Sequence, residues 1–490
     1  MMNYKEFEHL AKEYKTVPVY KRILADLITP ISAYMRLAKK SDYSFILESA
    51  EQGEGYGRYS FIGRNPHIIL KSENNTIHIY EDGEWKTNSD SFLSVLREIQ
   101  KKYQAPKLSK IPHFTGGLVG FMGYESITWV EDIPIFKEDE LQCPDAIFML
   151  FHELIAFDHL QNQVILFSNV QIEEGMDLEK VYNEANLRID EMGEDLHTDI
   201  DYQTSTPARL EQSELRSNFT QEEFESAVKK AKEHIKIGDV FQLVLSQRFQ
   251  RQTSTDPLTM YRALRSINPS PYMFHLKLGD FDIIGASPEL LVKVEDGEIE
   301  IRPIAGTQQR GGDADADKKL AKDLLSDDKE RAEHLMLVDL GRNDVGRAAE
   351  FDTVNVKEFM VVEYYSHVMH IVSDVRGKLR VGKDVFDALY SGFPAGTLTG
   401  APKIRAMEII HDLEPSRRGV YSGAIGYFDF TGDMNTCIAI RTMVMKDNRV
   451  YFQSGAGIVN DSDPEKEFKE TVSKAKAINS AIDLAENGLV

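Results

Sequence analysis

The sequence is poor in cysteine, and this limits the chemistry it can carry. Its 490 residues include two cysteines, Cys143 and Cys437, which lie far apart and outside any CxxC or Cys/His cluster. This pattern excludes a disulfide framework and argues against a structural zinc site. The sequence also has no GxSxG element, and neither cysteine stands in a nucleophile motif. Covalent acyl transfer is therefore disfavoured.

Long apolar runs and an excess of positive charge are also missing. No hydrophobic run approaches the roughly 20 residues that a bilayer span requires. The start, MMNYKEFEHLAKEYK, has no apolar stretch behind a basic one, so we expect a cytoplasmic protein without a membrane segment. The 57 Lys and Arg residues are outnumbered by 79 Asp and Glu, giving a net charge of -22. This argues against a nucleic-acid partner, which would require a basic surface.

What is present is enough chain for a sizeable core, with 42% hydrophobic residues. The segment 172–216 begins with helical periodicity, turns acidic and then becomes rich in Ser and Thr, as an exposed connection does. We therefore predict an amino-terminal part, 1–205, which is regulatory or structural. The second part, 215–490, is predicted to be catalytic.

Strand patterns occur in both parts. HIILKS and TIHIYEDGEW alternate in the first part and turn at Asp82-Gly83. In the second part FQLVLSQRF, FDIIGAS and LLVKVEDGEIEIRPIAG do the same, with a turn at Asp296-Gly297.

Helices are mixed with these strands. Thr220 and Glu223 form a capping box for a helix that should end at Gly238, and a second helical stretch covers about 315–341. The order is neither a regular βαβ alternation nor a short repeat. It predicts an α+β fold in which large, mostly antiparallel sheets form a sandwich with helices packed outside.

Two predicted helices each carry a pair of glutamates three residues apart. One helix carries Glu330 and Glu333, and the other, starting at Pro464, carries Glu467 and Glu470. Spacing of this kind places both carboxylates on one face, where they suit a hard dication such as Mg²⁺. Exposed glutamate pairs are also common on solvated helix faces, and the spacing alone does not separate the two interpretations.

Polar residues are predicted on several strands. His370 alternates with Val368 and Val372, which fits either an acid-base group or a hydrogen-bonded core histidine. Tyr421 and Arg441 are predicted to project from strands, and the arginine would either pair with an anion or extend along a sheet edge.

Glycine-rich stretches suggest binding of an anion by the backbone. IRPIAGTQQR is predicted to break at Gly306-Thr307, and FPAGTLTGAP and QSGAGIV are similar stretches. None has the spacing of a Walker or dinucleotide loop, and each alone fits an ordinary turn.

Taken together, the motifs resemble a known family. FQLVLSQR, NPSPYMF, GASPE, RPIAGTQQR, ERAEHLMLVDLGRND, GTLTGAPK, SGAIGYF, SGAGIV and the EFKET segment occur in the order found in chorismate-utilising enzymes, specifically the anthranilate synthase component I family. The resemblance covers essentially all of 215–480 and extends to ILESAEQGEGYGRYSFIG. It implies the chorismate-binding-enzyme fold.

The resemblance implies a magnesium-dependent lyase of tryptophan biosynthesis. Chorismate would react with ammonia to an aminodeoxyisochorismate intermediate, which loses pyruvate to give anthranilate. The metal would be held by Glu333 and Glu470, with support from Glu330 and Glu467. The substrate-binding residues implied are Gly306, Thr307, Tyr421, Arg441, Gly455, Ala456 and Gly457. The catalytic residues implied are His370, Glu289 and Thr307.

Two positions separate the branches of this family. Relatives that make aminodeoxychorismate tend to carry lysine where Ala305 stands, and relatives that add water carry lysine where Gln242 stands. With neither lysine present, we expect a cavity without an amine of its own and free ammonia as the nucleophile. The sequence has no amidotransferase nucleophile motif, so the resemblance implies a separate glutamine amidotransferase subunit, component II, as partner.

The resemblance also implies feedback inhibition by L-tryptophan. The inhibitor residues implied are Glu48, Ser49, Asn268, Pro271, Tyr272 and Met273. By pattern alone these fit an edge strand and a proline turn. Two rival functions stay open: an aminodeoxychorismate synthase component I, and an inactive tryptophan-sensing subunit.

Overall fold

The computed structural model describes residues 1–38, 41–49, 57–73, 76–134, 137, 139–200, 213–365 and 368–489. The boundary expected between 205 and 215 falls largely on 201–212, outside these ranges, and stays a prediction. Within the described residues, no helix is long and apolar enough to cross a membrane.

The strands are numbered in chain order. Those of the first part are β1 Thr16–Leu24, β2 Tyr43–Glu48, β3 Tyr59–Arg64, β4 Ile68–Glu73, β5 Thr76–Glu81, β6 Glu84–Asn88, β7 Gly117–Met122, β8 Ala146–Phe151, β9 Glu153–Asp158 and β10 Gln163–Gln171. Those of the second part are β11 Arg216–Ser217, β12 Gln242–Gln252, β13 Tyr272–Leu278, β14 Phe281–Ser287, β15 Leu290–Glu295, β16 Glu298–Ile301, β17 Ile304–Gln309, β18 Asn355–Tyr364, β19 Val368–Lys378, β20 Gly400–Ala401, β21 Ala424–Asp429, β22 Met434–Ile438, β23 Thr442–Lys446 and β24 Arg449–Ile458.

The helices surround these strands. They are α1 Tyr4–Leu10, α2 Pro30–Ala38, α3 Phe92–Lys102, α4 Leu178–Asp195, α5 Gln221–Ile237, α6 Pro257–Ile267, α7 Ala314–Ser326, α8 Asp328–Ala348, α9 Val385–Gly392, α10 Lys403–Leu413 and α11 Pro464–Glu486, with 3₁₀ turns at Tyr124–Trp129 and Gly396–Leu398. The capping box of α5 and its end at Gly238, where φ is 88°, are confirmed. The single helix expected over 315–341 is two, because Asp327 caps the second.

In the described ranges the strands form two antiparallel sheets of twelve strands each. The first runs β1-β10-β9-β3-β2-β13-β14-β23-β24-β12-β11, with β20 beside β12. The second runs β17-β19-β16-β15-β22-β21-β7-β8-β4-β5-β6, with β18 beside β19. Both sheets join strands from before 200 and after 213, so the two parts of the chain share their sheets.

A buried core lies between the sheets. The ring of Phe45 from the first sheet packs on Phe151 of the second, with 4.8 Å between ring centroids, and Phe121 meets Phe281 edge to face. Further clusters lie between the sheets and the surrounding helices, for example around Phe224 of α5. The predicted α+β sandwich with helices outside is confirmed.

The chain bulges at Gly306, where the sequence predicted a break. The strand continues as β17, and its pairing with β19 shifts register between Ala305 and Thr307. The φ of 70° at Gly306 is in the left-handed region that glycine adopts easily. The prediction of a strand end was wrong because a bulge and a turn use the same glycine chemistry.

The chain also changes sheets where one strand was expected. In CIAIRTMVM, β22 belongs to the second sheet and β23 to the first, and Arg441 lies between them with φ 51°. Tyr421 likewise lies in the turn before β21. The prediction that both side chains project from strands was therefore wrong. Apolar periodicity in the sequence does not reveal where the chain crosses from one sheet to the other.

A buried carboxyl at the end of β21 provides a test of the packing. Asp429 accepts hydrogen bonds from Thr431 and from the Asp433 amide, and burial, followed by the charge of Asp433, raises its pKa to about 7. The folded state therefore retains a proton that the unfolded state releases near pH 4, and stability falls as pH rises between these values, by up to about 1.4 kcal/mol per pH unit. We expect Asp429→Asn to lack this fall.

Urea unfolding at pH 5.5 and 7.5 measures this fall in the free energy of unfolding. The advantage of the variant over the parent should grow with pH. Asp315→Asn, whose side chain is 96% exposed, is the control. Equal pH dependence of all three proteins would contradict the prediction.

Candidate active site

A cavity of about 860 Å³ lies where β12, β17, β19 and β24 approach α8 and α11. Of the residues implied as catalytic, substrate-binding or metal-binding, it brings together Glu289, Gly306, Thr307, Glu330, Glu333, His370, Tyr421, Arg441, Gly455, Gly457, Glu467 and Glu470. Ala305 and Gln242 line it as well. These residues come from segments up to about 230 positions apart, a placement that local sequence patterns do not reveal.

Both glutamate pairs face the cavity, one from α8 and one from α11. Partial burial and then the charge of Glu333 raise the pKa of Glu330. Burial also raises the pKa of Glu467, and the charge of Glu470 adds to this effect. The two pairs thus concentrate negative charge that a cation would relieve. Among the described residues, no three His, Cys, Asp or Glu side chains are grouped as they are around a bound metal.

Lys474 lies one helical turn after Glu470 on α11 and was not among the residues predicted from the sequence. Its ammonium pairs with the Glu470 carboxylate at 2.8 Å and donates to the Gly455 carbonyl at 2.9 Å. Lys329 and Lys466 also line the cavity. The expectation of a cavity without an amine is therefore wrong, although positions 242 and 305 carry none. The i, i+4 spacing of Glu470 and Lys474 on one helix was the sequence feature that could have predicted their contact.

Glu289 is a half-buried carboxyl that lines the cavity. The Thr397 hydroxyl donates to it at 3.2 Å. Burial raises its pKa, and the opposing effects of Thr397, Lys474 and Arg441 do not cancel that rise. A carboxyl of this kind keeps its proton at higher pH than an exposed one, which suits a general acid.

His370 lies beside the bulge of β17. Its Nδ1 is 3.0 Å from the Gly306 carbonyl and 3.1 Å from the Thr307 hydroxyl. Because a carbonyl only accepts, Nδ1 carries the hydrogen and Nε2 of the neutral ring is left as the proton acceptor. Burial lowers the pKa of His370, with the Gly306 carbonyl opposing this change. A neutral ring of fixed tautomer suits a general base.

Arg441 enters the cavity from the crossing between the sheets. Its guanidinium donates to the Lys474 carbonyl at 3.0 Å. Burial lowers its pKa, with Tyr421 and Glu289 opposing, so a bound anion would be favoured here. A positive φ at a residue other than glycine is costly and often accompanies a functional site.

Of the three β24 residues implied as substrate-binding, Gly455 and Gly457 direct their backbone amides to the cavity and Ala456 does not. Val244 and Ser246 of β12 direct their amides away from β24, to the Thr399 carbonyl and to Glu414. Strand alternation then assigns the ladder bonds to Leu245 and Ala456, which are partners. The amides of Gly455 and Gly457 therefore point to the other side. Ala456 does not line the cavity, and its side chain packs in the cluster around Phe224.

Gly455 has no room for a side chain. An added Cβ would lie 2.9 Å from the Tyr421 hydroxyl and 3.0 Å from the Leu245 carbonyl. The absence of a side chain lets the tyrosine lie directly against the backbone of β24, so glycine is required at this position for close approach as well as for an accessible amide.

A buried arginine supports this wall from behind. Arg418 forms an ion pair with Glu414 at 2.6 Å and donates to the carbonyls of Val244 and Leu398. Its guanidinium also lies 5.6 Å from the centre of the Tyr421 ring. Three residues that line the cavity are thus held by one cation.

We expect Arg418→Met to destabilise the fold by about 3–5 kcal/mol, because it leaves the Glu414 carboxylate buried without its partner. Chemical denaturation measures this cost. The matched control is Arg342→Met, whose pair with Asp339 is 58% and 62% exposed and should contribute about 1 kcal/mol or less. A similar small effect of both changes would contradict the prediction.

The residues implied for tryptophan meet at a separate place. Glu48 of β2 is paired with Met273 of β13, although the two are more than 220 positions apart. The Glu48 carboxylate accepts from the Tyr261 hydroxyl at 2.6 Å and from Arg265 at 3.0 Å. The buried Ser49 hydroxyl has no hydrogen-bond partner among the described residues.

The remaining residues of this group surround the start of β13. Asn268 caps the end of α6, Pro271 is buried, and Tyr272 begins the strand. The two motifs therefore form one region next to β2. Its use as an inhibitor site stays a prediction.

Comparison with known proteins places the chain in a family. A family model described as chorismate binding enzyme matches residues 42–480. The anthranilate synthase component 1 of Acetivibrio thermocellus is 45% identical over 98% of both chains. That of Aquifex aeolicus is 45% identical over 99% of this chain and 98% of its own.

Solved structures agree. Anthranilate synthase component I from Streptococcus pneumoniae covers 94% of this chain and 99% of its own, with 38% identity and a TM-score of 0.76. The isochorismate synthase MenF of Escherichia coli shares the fold with a TM-score of 0.70 at 18% identity. The chain belongs to the chorismate-binding enzyme family, among its anthranilate synthase component 1 members.

Proposed function

We propose that this chain is the synthase subunit that converts chorismate and ammonia to anthranilate, pyruvate and water. The observation that carries the proposal is one cavity combining two glutamate pairs, a half-buried carboxyl at Glu289, a histidine at 370 and an arginine at 441. The names of the relatives support the same reaction.

Mg²⁺ is the proposed cofactor, and the donor set fits it. Carboxylates are the ligands that Mg²⁺ prefers, and it keeps several waters rather than requiring a complete protein cage. Glu333 and Glu470 would hold the ion, with Glu330 and Glu467 beside them. When bound, Mg²⁺ would anchor a substrate carboxylate and stabilise negative charge that develops on the substrate.

The other substrate anchors are proposed where Arg441 and β24 meet α11 at Lys474. Arg441 supplies a guanidinium for a second carboxylate, and the amides of Gly455 and Gly457 supply donors without a charge. Thr307 adds a hydroxyl beside His370. Chorismate has two carboxylates, so a cavity with one anchoring region for each would orient its ring.

Proton transfer is assigned to two residues. In amination, ammonia forms a bond to a ring carbon while the ring hydroxyl leaves as water, and protonated Glu289 would donate the proton to that oxygen. In the second step the ring loses a proton to Nε2 of His370, the ether bond breaks, and the side chain leaves as the enolate of pyruvate, which takes up a proton at its methylene carbon to give pyruvate. The ring becomes aromatic, which drives the elimination.

The nucleophile comes from outside the chain. Positions 242 and 305 carry glutamine and alanine, and Lys474 is engaged by Glu470 and by Gly455. We propose a glutamine amidotransferase component as the source of ammonia, in keeping with relatives called component 1. We also propose L-tryptophan as a feedback inhibitor at the region around Glu48 and Ser49.

The test is incubation with chorismate, Mg²⁺ and ammonium at raised pH. Anthranilate fluorescence should appear without glutamine or a partner. A non-aromatic amino product would instead favour an aminodeoxychorismate synthase. Absence of turnover, together with tight binding of tryptophan, would favour an inactive sensing subunit.

A further inference from the structure

Tyr365, to which the proposed mechanism gives no part, lies against the proposed base. It follows β18 directly and lines the cavity. Its ring meets the His370 imidazole edge to face, with 5.3 Å between the ring centroids. Contacts of this geometry are attractive, so they restrict how the two rings turn. Tyr365 therefore packs on an imidazole whose Nδ1 is already held by the Gly306 carbonyl.

His370 also lies between two residues of the neighbouring strands. Its partner on β17 is Thr307, and its partner on β18 is Glu363. Directly opposed residues of antiparallel strands place their side chains on one face of the sheet, so Glu363 lies on the face that carries the imidazole. Burial lowers the pKa of His370, and the Gly306 carbonyl and then the charge of Glu363 oppose this change. The Glu363 carboxylate thus acts on the histidine from the adjacent strand.

Two groups fix the Glu363 carboxylate. It forms an ion pair with Arg302 and accepts a hydrogen bond from the Tyr365 hydroxyl at 3.0 Å. A negative charge that is already held in place stabilises a positive charge forming beside it, because no rearrangement is needed when that charge appears. The imidazolium that forms when His370 takes a proton is a charge of this kind.

The backbone of Tyr365 is held by contacts within the chain. Its amide donates to the Val368 carbonyl at 2.8 Å. Its carbonyl accepts from Arg310 at 2.6 Å, and the Asp317 carboxylate accepts from the same guanidinium at 2.6 and 2.8 Å. Asp317 is buried in the first turn of α7. The fold itself therefore places Tyr365 beside His370.

We infer that Tyr365 and Glu363 are positioning residues for His370 in the elimination step, where Tyr365 orients the imidazole and Glu363 stabilises the imidazolium. The inference rests on the proposed function, in which His370 takes the ring proton while the enolpyruvyl ether breaks. Neither residue has a part in amination, so their loss should slow the second step and spare the first. The amino intermediate, which retains its enolpyruvyl group, should then accumulate.

Single turnover with the enzyme in excess over chorismate, in the presence of Mg²⁺ and ammonium, separates the two steps. Loss of chorismate reports amination, and release of pyruvate reports elimination. We expect Glu363→Gln and Tyr365→Leu to slow pyruvate release about tenfold or more, which is part of what a positioned base contributes. Chorismate loss should change less than about twofold, since an interaction confined to one transition state affects that step alone. Tyr365→Phe keeps the ring but loses the contact with Glu363, so its rate of pyruvate release should lie between those of the parent and Tyr365→Leu.

The matched controls are Glu358→Gln, which changes an exposed carboxyl on β18, and Tyr364→Leu, which removes a ring that is 48% exposed and does not line the cavity. Both should release pyruvate at the rate of the parent. Because the two rates come from one sample, their ratio does not depend on how much of a variant is folded. Equal slowing of both steps in the Tyr365 and Glu363 variants, or unchanged pyruvate release, would overturn this inference alone. If the parent makes no anthranilate from ammonium, the proposed function fails, and this inference with it.

Discussion

Glu470→Gln is expected to lower kcat/KM for chorismate by about 100-fold or more, because losing one charged ligand of the proposed Mg²⁺ would remove several kcal/mol of stabilisation from the step that the metal assists. The amide keeps the shape of the side chain but not its charge. It also releases Lys474, which pairs with Glu470 at 2.8 Å. The effect should be accompanied by weaker Mg²⁺ binding, measured by calorimetry without substrate.

The same helix offers the control. Glu465 lies five residues earlier, is 58% exposed and pairs with Lys469, so Glu465→Gln should leave both kcat/KM and Mg²⁺ binding near the values of the parent. Glu333→Gln on α8 should behave like Glu470→Gln. A Glu470→Gln protein that binds Mg²⁺ and turns over like the parent would contradict the assignment of α11 to the metal.

Glu289→Gln is expected to lower kcat by about 10²–10⁴-fold, the usual contribution of a positioned general acid. Burial raises the pKa of this carboxyl, so its protonated form persists to higher pH than in an exposed glutamate. Activity that needs this proton falls as pH rises through the raised pKa. The variant should lose that limb of the pH profile as well as the rate.

Thr397→Val is the variant matched to Glu289→Gln, because it changes the surroundings of the Glu289 carboxyl and keeps the carboxyl itself. The Thr397 hydroxyl donates to Glu289 at 3.2 Å and lowers its pKa, so its removal should move the alkaline limb to higher pH while the acid stays in place. A Glu289→Gln enzyme with kcat within about threefold of the parent would contradict the role of this residue in proton transfer.

Local chemistry predicted individual elements well. The α5 capping box, the turns at Asp82-Gly83 and Asp296-Gly297 and the start of α11 at Pro464 depend on neighbours within a few positions, and the structure has each of them. These features follow from backbone conformations that only a few residue types favour.

Local sequence patterns could not predict which distant segments of the chain become neighbours. The pairing of Glu48 with Met273 joins strands from the two parts of the chain, and periodicity carries no information on which strands become neighbours. Arg441 was misplaced for a similar reason, since the apolar pattern runs through the crossing between sheets. The direction of the Ala456 amide required knowing which amides of β12 were already used.

The candidate site was predicted in large part by resemblance. Spacing alone left the pairs Glu330/Glu333 and Glu467/Glu470 as either metal ligands or solvated faces. Family motifs favoured the first interpretation, and the structure brings both pairs to one cavity. Lys474 lay outside that prediction, and its contacts with Glu470 and Gly455 became visible only in three dimensions.

The central claim is that this cavity aminates chorismate and then expels pyruvate. The most direct measurement is incubation of the chain with chorismate, Mg²⁺ and ¹⁵N-labelled ammonium, followed by quantification of both products. We expect one labelled anthranilate and one pyruvate for each chorismate consumed. A labelled product that retains its enolpyruvyl group, or a product without label, would contradict it.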